Sequence, residues 1–219
     1  TARVTTVWIA HGDRLPAAVA ETFDGVVLGG TFHGANDDVE WLHRLHHWLR
    51  TLRAVPSPQS TLPLLGICGG HQAIATVLTS PAGDGGAGGD DAAARPAARR
   101  RSVGSRAGGP CVGTHPVDLT PAGAAHPLFA ASTREAAAAQ PPPRRWHVHF
   151  GNSDHVAAAP PAAVGTVLAT TDDSPAVACD WGSGWSSTQF HPEATAAWFD
   201  GLVKGGLCRV PPEGHGYTW

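Results

Sequence analysis

The sequence has few of the features that mark membrane, secreted or nucleic-acid-binding proteins. No apolar run approaches the ~20 residues that a membrane span requires, and a formal charge of -3 comes with no sustained basic face. The four cysteines are far apart and form no CxxC pair, a pattern that suits a reducing compartment better than a disulfide framework or zinc site. These absences predict a cytoplasmic protein that acts on a small molecule and binds neither nucleic acid nor membrane.

The length and the order of patterns predict one α/β domain over residues 1–219. The runs "TTVWIAH", "FDGVVLGG" and "TLPLLGIC" predict strands, and helical patterns separate them. A helix is predicted over about 37–52, capped by Asn36 or Asp37. Its apolar stripe consists of Trp41, Leu42, Leu45, Trp48, Leu49 and Leu52. The alternation is typical of an open, mostly parallel sheet with crossover helices.

The opposite face of this helix carries His43, His46 and His47. His43 and His47 stand one turn apart, as metal ligands sometimes do, but no carboxylate or cysteine joins them and zinc sites usually need three or four ligands. We therefore predict a solvated helix face, no metal and no cofactor.

Composition changes sharply at residues 80–110, which are rich in Gly, Ala, Asp and Arg and have little to bury. We predict a flexible low-complexity insertion there. Beyond it, the runs "VGTHPVDLT", "RRWHVHFGNS", "VGTVLATT", "AVACDWG" and "WSSTQFH" predict a strand-rich portion with antiparallel pairs. A last helix is predicted over about 194–207, with Trp198, Phe199, Leu202 and Val203 facing the core.

The stretch "LLGICGGHQ" places Cys68 between a predicted buried strand and a predicted helix. Glycines at this turn allow a sharp bend and close approach of a substrate, and the carboxyl end of a strand is where open α/β sheets bind ligands. The helix N-terminus favours a thiolate. A small buried core cysteine is the alternative, and the turn alone does not decide between them.

The stretch "QFHPE" supplies partners for a nucleophilic thiol. A cysteine nucleophile needs a base, and the base needs an acceptor that orients it. His191 and Glu193 are two residues apart, so an extended chain points both side chains the same way. Paired with the cysteine turn, the motif favours a Cys-His-Glu triad.

Together, "GICGGHQ" and "FHPE" resemble the class I glutamine amidotransferases, whose motif is G-x-C-x-G-x-Q. "GANDDVEWL", "GTHPVDLT" and "HPLF" also fit, and the likeness spans about residues 7–199 apart from the insertion. The resemblance implies a flavodoxin-like doubly wound fold. It also implies that Cys68 attacks the amide of glutamine or a γ-glutamyl compound to form a thioester, with His191 as base and Glu193 orienting it.

The resemblance further implies that the backbone N–H groups of Gly30 and Gly69 form the oxyanion hole and that Gln72 helps to hold the glutamyl group. In "GNSDHV", Asn152 stands where the family often has histidine, and Asp154 matches its aspartate. Asp154 is either a substrate-binding residue or an ordinary loop acceptor. The family's opening strand and helix have no counterpart before "TTVWIAH", which predicts an uncovered strand edge.

Three functions are consistent with these features. The first is a glutaminase of the kind found as GMP-synthetase subunits, which releases ammonia to a synthetase partner. The second is a γ-glutamyl peptidase acting on glutathione-like conjugates, which the segment around "GANDDVEWL" resembles. The third is a non-catalytic remnant that binds a partner, although an intact triad argues against it.

Overall fold

The computed structural model describes residues 2–31, 33–54, 62–80, 102–129, 144–195, 197–198, 201 and 204. The helices in these ranges are α1 (Val19–Thr22), α2 (Glu40–Ala54), α3 (Gly69–Thr79) and α4 (Pro121–Ala125), with a 3-10 turn at Ile9–His11. The strands are β1 (Val26–Leu28), β2 (Leu64–Ile67), β3 (Val103–Ser105), β4 (Cys111–Leu119), β5 (Arg145–Asn152), β6 (Asp154–Val156), β7 (Thr166–Thr170), β8 (Ala178–Gly182) and β9 (Trp185–Thr188). None of the described helices is long and apolar enough to cross a membrane.

Seven strands form one mixed sheet in the order β1-β2-β9-β8-β7-β4-β5, and β3 pairs with β6 separately. The pairs β1·β2 and β2·β9 are parallel, and the pairs from β9 onward to β5 are antiparallel. The α/β fold and its antiparallel C-terminal portion are therefore confirmed. The parallel part comprises β1, β2 and β9, and the carboxyl ends of all three strands lie at the same edge of the sheet.

The prediction of a strand at "TTVWIAH" is wrong. Ile9–His11 forms a 3-10 turn, and the backbone N–H of Trp8 donates to Asp13 Oδ2 at 2.7 Å. Gly12, at a φ of 101°, ends the turn, so local hydrogen bonds hold this segment in place of a ladder. In the described sheet β1 is an edge strand, and Val27 on it is 68% exposed.

The predicted insertion at 80–110 overlaps regular structure at its end. Residues 103–105 form β3, which pairs antiparallel with β6, and Val103 is fully buried. The side-chain amide of Asn36 donates to the Val103 carbonyl at 2.9 Å. The Gly- and Arg-rich composition does not predict this three-residue strand, which is stabilised by its pairing with β6. Residues 81–101 lie outside the described residues, and for them the insertion stays a prediction.

Helix α2 confirms the predicted stripe: Leu42, Leu45 and Leu49 are buried. It begins at Glu40, and neither Asn36 nor Asp37 caps it, because the Asp37 carboxylate accepts from the Gly34 N–H at 3.0 Å.

The prediction of a solvated face on α2 is wrong for His46. It is 9% exposed, and burial lowers its pKa from 6.5 to about 4. His43 and His47 are exposed as predicted.

A buried polar chain ties α3 to the sheet through His71, which is fully buried. Its Nε2 lies 3.1 Å from the Ala176 carbonyl, which can only accept, so Nε2 carries the proton. Its Nδ1 then accepts from Ser187 Oγ at 2.7 Å, and Trp181 Nε1 donates to that same hydroxyl at 2.7 Å. The arrangement needs a neutral imidazole, and burial lowers the pKa of His71 to about 4.

We expect this arrangement to make the protein acid-sensitive. The folded pKa of His71 is about 4 and the unfolded one 6.5, so between these values the unfolded chain binds more protons and stability falls as pH falls. At ~1.4 kcal/mol per pKa unit, the pKa shift of His71 should lower the free energy of unfolding by about 3 kcal/mol between pH 7 and pH 4. Urea unfolding across this range checks it.

The buried histidine of α2 provides the comparison. His46→Leu should reduce the pH dependence, since this residue also has a lowered pKa, and His71 should account for most of the remainder. A free energy of unfolding that stays constant from pH 7 to pH 4 would contradict the assignment of neutral buried histidines.

Candidate active site

Cys68 lies in the turn between β2 and α3, with φ 54° and ψ -108°. A positive φ is uncommon for a non-glycine residue, and such strain persists only where the surroundings fix it. Here the Cys68 N–H donates to the Thr188 carbonyl at 2.8 Å, and the Cys68 carbonyl accepts from the Gln72 N–H at 3.1 Å. The thiol is thus held at the carboxyl end of a parallel strand, beside the N-terminus of α3.

The glycines around Cys68 are required because neighbouring backbone passes too close for a side chain. A Cβ on Gly70 would lie 2.1 Å from the Leu28 carbonyl oxygen, and one on Gly69 would lie 2.7 Å from Thr31 Cγ2. A Cβ on Gly66 would meet Ile74 Cδ1 at 2.6 Å. The turn therefore packs directly against the end of β1 and the loop that follows it.

Gly70→Ala should destabilise the protein by about 3 kcal/mol or more, since backbone would have to move to relieve the clash. The urea midpoint measures this effect. Gly104→Ala is the matched control, because a Cβ there meets nothing within 4 Å. Equal midpoints for the two variants would show that the turn is more loosely packed than described.

His191 and Glu193 follow β9 and form a close pair. His191 Nδ1 lies 2.7 Å from Glu193 Oε1, with the imidazole mostly buried and the carboxylate half exposed. The His191 N–H donates to the His149 carbonyl at 2.8 Å, which fixes the backbone. Since a carboxylate only accepts, Nδ1 carries the proton in this pair, and in the neutral imidazole the lone pair is then on Nε2.

Gly30 shows that the thiol and the imidazole are neighbours. A Cβ placed on Gly30 would lie 3.6 Å from Cys68 Sγ and 3.8 Å from His191 Cε1. One point in space is therefore within 4 Å of both side chains. A residue with a side chain at position 30 would fill this space, so glycine keeps it open.

The surroundings of Cys68 favour the protonated thiol. Burial raises the pKa of Cys68 to about 11, and the Glu193 charge adds to the rise, whereas the Gly69 backbone N–H and the nearby Gln189 side chain lower it. Consistent with a neutral thiol, Sγ donates to the Gly151 carbonyl at 3.8 Å. Attack by this sulfur requires a base that takes the proton.

Gln72, Asn152 and Asp154 converge on one carbonyl. Gln72 Nε2 and Asn152 Nδ2 both donate to the Asp154 carbonyl, each at 2.8 Å. The Asp154 carboxylate accepts from Ser105 Oγ at 2.9 Å. Asn152 is 6% exposed, and its Oδ1 is buried with no partner among the described residues. The structure thus brings the three predicted substrate-binding residues together next to Gly151, whose carbonyl faces the thiol.

The segment after Glu193 differs in part from the sequence prediction. Trp198 is 43% exposed rather than facing the core, and its ring centroid lies 5.7 Å from that of His191. Residues 197, 198, 201 and 204 are helical, as predicted, whereas Phe199, Leu202 and Val203 lie outside the described residues. A cleft lined partly by Phe129, Trp146 and Pro192 opens beside His191.

Sequence reasoning missed Gln189, which is fully buried, accepts a hydrogen bond from Gln72 and contributes to lowering the pKa of Cys68. The signal was present in "QFHPE", where Gln189, His191 and Glu193 are each two residues apart. Over the residues that the structure describes, no group of three or more His, Cys, Asp or Glu side chains is placed to hold a metal ion.

Comparison with protein families shows which family the chain belongs to. A sequence model of the family described as glutamine amidotransferase class-I matches residues 1–202. This chain belongs to the class I glutamine amidotransferase family. A search of curated proteins gave no significant match.

Solved structures of glutamine amidotransferases share the fold. One from Thermotoga maritima superposes with a TM-score of 0.62 at 21% identity, over 92% of this chain and 73% of that one. Another, from Methylobacillus flagellatus, has a TM-score of 0.61 at 16% identity, over 91% of this chain and 63% of that one. A putative GMP synthase subunit from Thermoplasma acidophilum gives 0.53 at 18% identity, over 86% of this chain and 76% of that one.

Proposed function

We propose that this amidotransferase domain hydrolyses γ-glutamyl amide bonds, with glutamine as substrate and Cys68, His191 and Glu193 as the triad. The observation that carries the proposal is the single point beside Gly30 that lies within 4 Å of both Cys68 Sγ and the His191 ring. A reacting carbonyl carbon needs such a position, reached by nucleophile and base together.

The chemistry follows from the protonation states. Nε2 of His191 takes the thiol proton as Sγ attacks the amide carbon, and Glu193 stabilises the imidazolium that forms. The N–H groups of Gly30 and Gly69 would hold the oxyanion, each donor contributing roughly 3 kcal/mol in the transition state. His191 returns the proton to the departing nitrogen, ammonia leaves, and a γ-glutamyl thioester remains. Water that loses a proton to His191 then releases glutamate and the thiol.

The three converging residues would bind the glutamyl end of the substrate. Asn152 Oδ1 is a buried acceptor without a partner in the described structure, and leaving such an atom unpaired costs ~1–3 kcal/mol. A substrate N–H would satisfy it. The Asp154 carboxylate, half-buried beside Gly34, would pair with the α-ammonium group. Gln72 would hold both residues in place through the Asp154 carbonyl.

Release of ammonia implies an acceptor, and we propose a synthetase partner in the cytoplasm. The structural neighbour from Thermoplasma acidophilum is described as a GMP synthase subunit, which makes separate glutaminase and synthetase chains a suitable arrangement to test. Free thiols at Cys68, Cys111 and Cys179 suit a reducing compartment.

Product analysis tests the proposal. The purified protein is incubated with glutamine and with a panel of γ-glutamyl peptides, and the products are identified by mass spectrometry. Glutamate and ammonia from glutamine are the expected result. Cleavage of the peptides alone would make the protein a γ-glutamyl peptidase, and release of neither product by folded protein would overturn the hydrolase assignment in favour of a non-catalytic binder.

A further inference from the structure

Gln189 is a fully buried amide with one half of its hydrogen-bonding capacity unused. Its Oε1 accepts from Gln72 Nε2 at 3.1 Å. Its Nε2 has no partner that satisfies hydrogen-bond geometry among the described residues. A buried donor without a partner normally costs ~1–3 kcal/mol, so its position needs an explanation in the chemistry around it.

The orientation of this amide is fixed by a backbone carbonyl. The Asp154 carbonyl can only accept, so the atom of Gln72 that faces it at 2.8 Å must be Nε2. The same nitrogen also faces the Gln189 amide, which must therefore present its oxygen. Gln189 Nε2 is then turned away from Gln72. A flip of the Gln189 amide would leave donor facing donor, and a flip of the Gln72 amide would leave acceptor facing acceptor.

The register of the sheet places Gln189 next to Cys68, because β2 and β9 run parallel and Ile67 pairs with Thr188. Thr188, which precedes Gln189, accepts a hydrogen bond from the Cys68 N–H through its carbonyl at 2.8 Å, so the two segments run side by side here. The Gln189 side chain is also one of the groups that lower the pKa of Cys68 against the effect of burial. In the neutral state the thiol donates to the Gly151 carbonyl instead.

We propose that Gln189, oriented by Gln72, donates a hydrogen bond from Nε2 to the Cys68 sulfur once the thiol has given its proton to His191. This inference rests on the proposed function for its role in turnover, but the hydrogen bond itself is independent of substrate. The donor would stabilise the thiolate selectively, because a neutral thiol gains little from it and a negative sulfur gains a charge-assisted bond. Gln72 is a positioning residue in this arrangement.

The test measures thiolate formation directly, as the rate of Cys68 alkylation by iodoacetamide between pH 7 and pH 11. The titratable groups identified next to Cys68 are His191 and Glu193, and both stay unchanged in the variants. Gln189→Met removes the donor at similar volume without adding charge. Its alkylation rate at pH 8 should fall about tenfold to a hundredfold, the effect of losing a hydrogen bond to a charged group, with the profile shifted to higher pH.

Three further proteins separate this role from a structural one. Gln72→Leu should shift the profile in the same direction by less. Ser174→Ala is the control, because it removes another buried and unpartnered polar atom and should leave the profile of Cys68 unchanged. Gln189→Glu retains the shape of the side chain, and it should slow alkylation further because its negative charge disfavours a nearby thiolate.

Two results would overturn the proposal. One is a folded Gln189→Met protein whose alkylation profile matches the wild type. The other comes from NMR of the wild-type protein, which needs no substitution at Gln189: its side-chain amide signals should shift when Cys68 is ionised, and signals that stay constant would contradict the hydrogen bond. Absence of glutamine turnover, with the profile shifted as expected, would refute the proposed function alone.

Discussion

Cys68→Ser should abolish glutamine hydrolysis, lowering kcat by on the order of 10⁴-fold or more, as loss of a triad nucleophile does. The hydroxyl is a much weaker nucleophile at the same position, because its proton is harder to remove than that of a thiol. The substitution is small and the turn keeps its hydrogen bonds to Thr188 and Gln72. Steady-state release of glutamate measures kcat, and thermal unfolding shows that the fold persists.

One variant serves as the control for this experiment. Cys179→Ser replaces another fully buried cysteine, located on β8 and not part of the site, so its kcat should stay close to wild type even if its stability falls. Retained turnover in Cys68→Ser would show that the sulfur is not the nucleophile and that Cys68 is a buried core residue.

His191→Asn should cost about as much as loss of Cys68, and Glu193→Gln clearly less. In the proposed mechanism the imidazole must both take and return the proton, so its loss removes both steps. Glu193 acts through its 2.7 Å contact with Nδ1, and it is half exposed, so water can replace part of its effect. In a triad, removal of the orienting acid lowers kcat by on the order of 10²-fold less than removal of the base does.

The measurement is kcat and KM for both variants against glutamine. Their effects should not add in the double variant, since the two side chains act as a unit. Equal losses for the two single substitutions, accompanied by a lower unfolding temperature in Glu193→Gln, would show that Glu193 supports the loop rather than the base.

The turn at Cys68 could be predicted because its local sequence and its geometry agree. The chain bends sharply against β1 at Gly66, Gly69 and Gly70, where a Cβ would clash with neighbouring atoms. These positions therefore require glycine, and the glycines are visible in the sequence. The spacing of His191 and Glu193 likewise follows from extended backbone. These are local rules, so a single sequence contains enough information to apply them.

The remaining features depend on contacts that strand and helix patterns do not contain, some of them distant in sequence. β3 has a poor strand composition and exists through pairing with β6, about fifty residues later. "TTVWIAH" has strand composition, yet Asp13 and Gly12 close it into a turn. His46 has a polar side chain but is buried on α2. The role of Gln189 appears only when Gln72 and Asp154 are seen around it.

The central claim is that Cys68 is the nucleophile of a glutamine-binding site, and covalent labelling tests it most directly. The protein is treated with a thiol-reactive glutamine analogue and digested, and the modified peptide is identified by mass spectrometry. We expect one label per chain, located at Cys68, with a rate that falls as glutamine is added and no label in Cys68→Ser. Labelling that glutamine does not slow, or that occurs at Cys111 or Cys179 instead, would contradict the account.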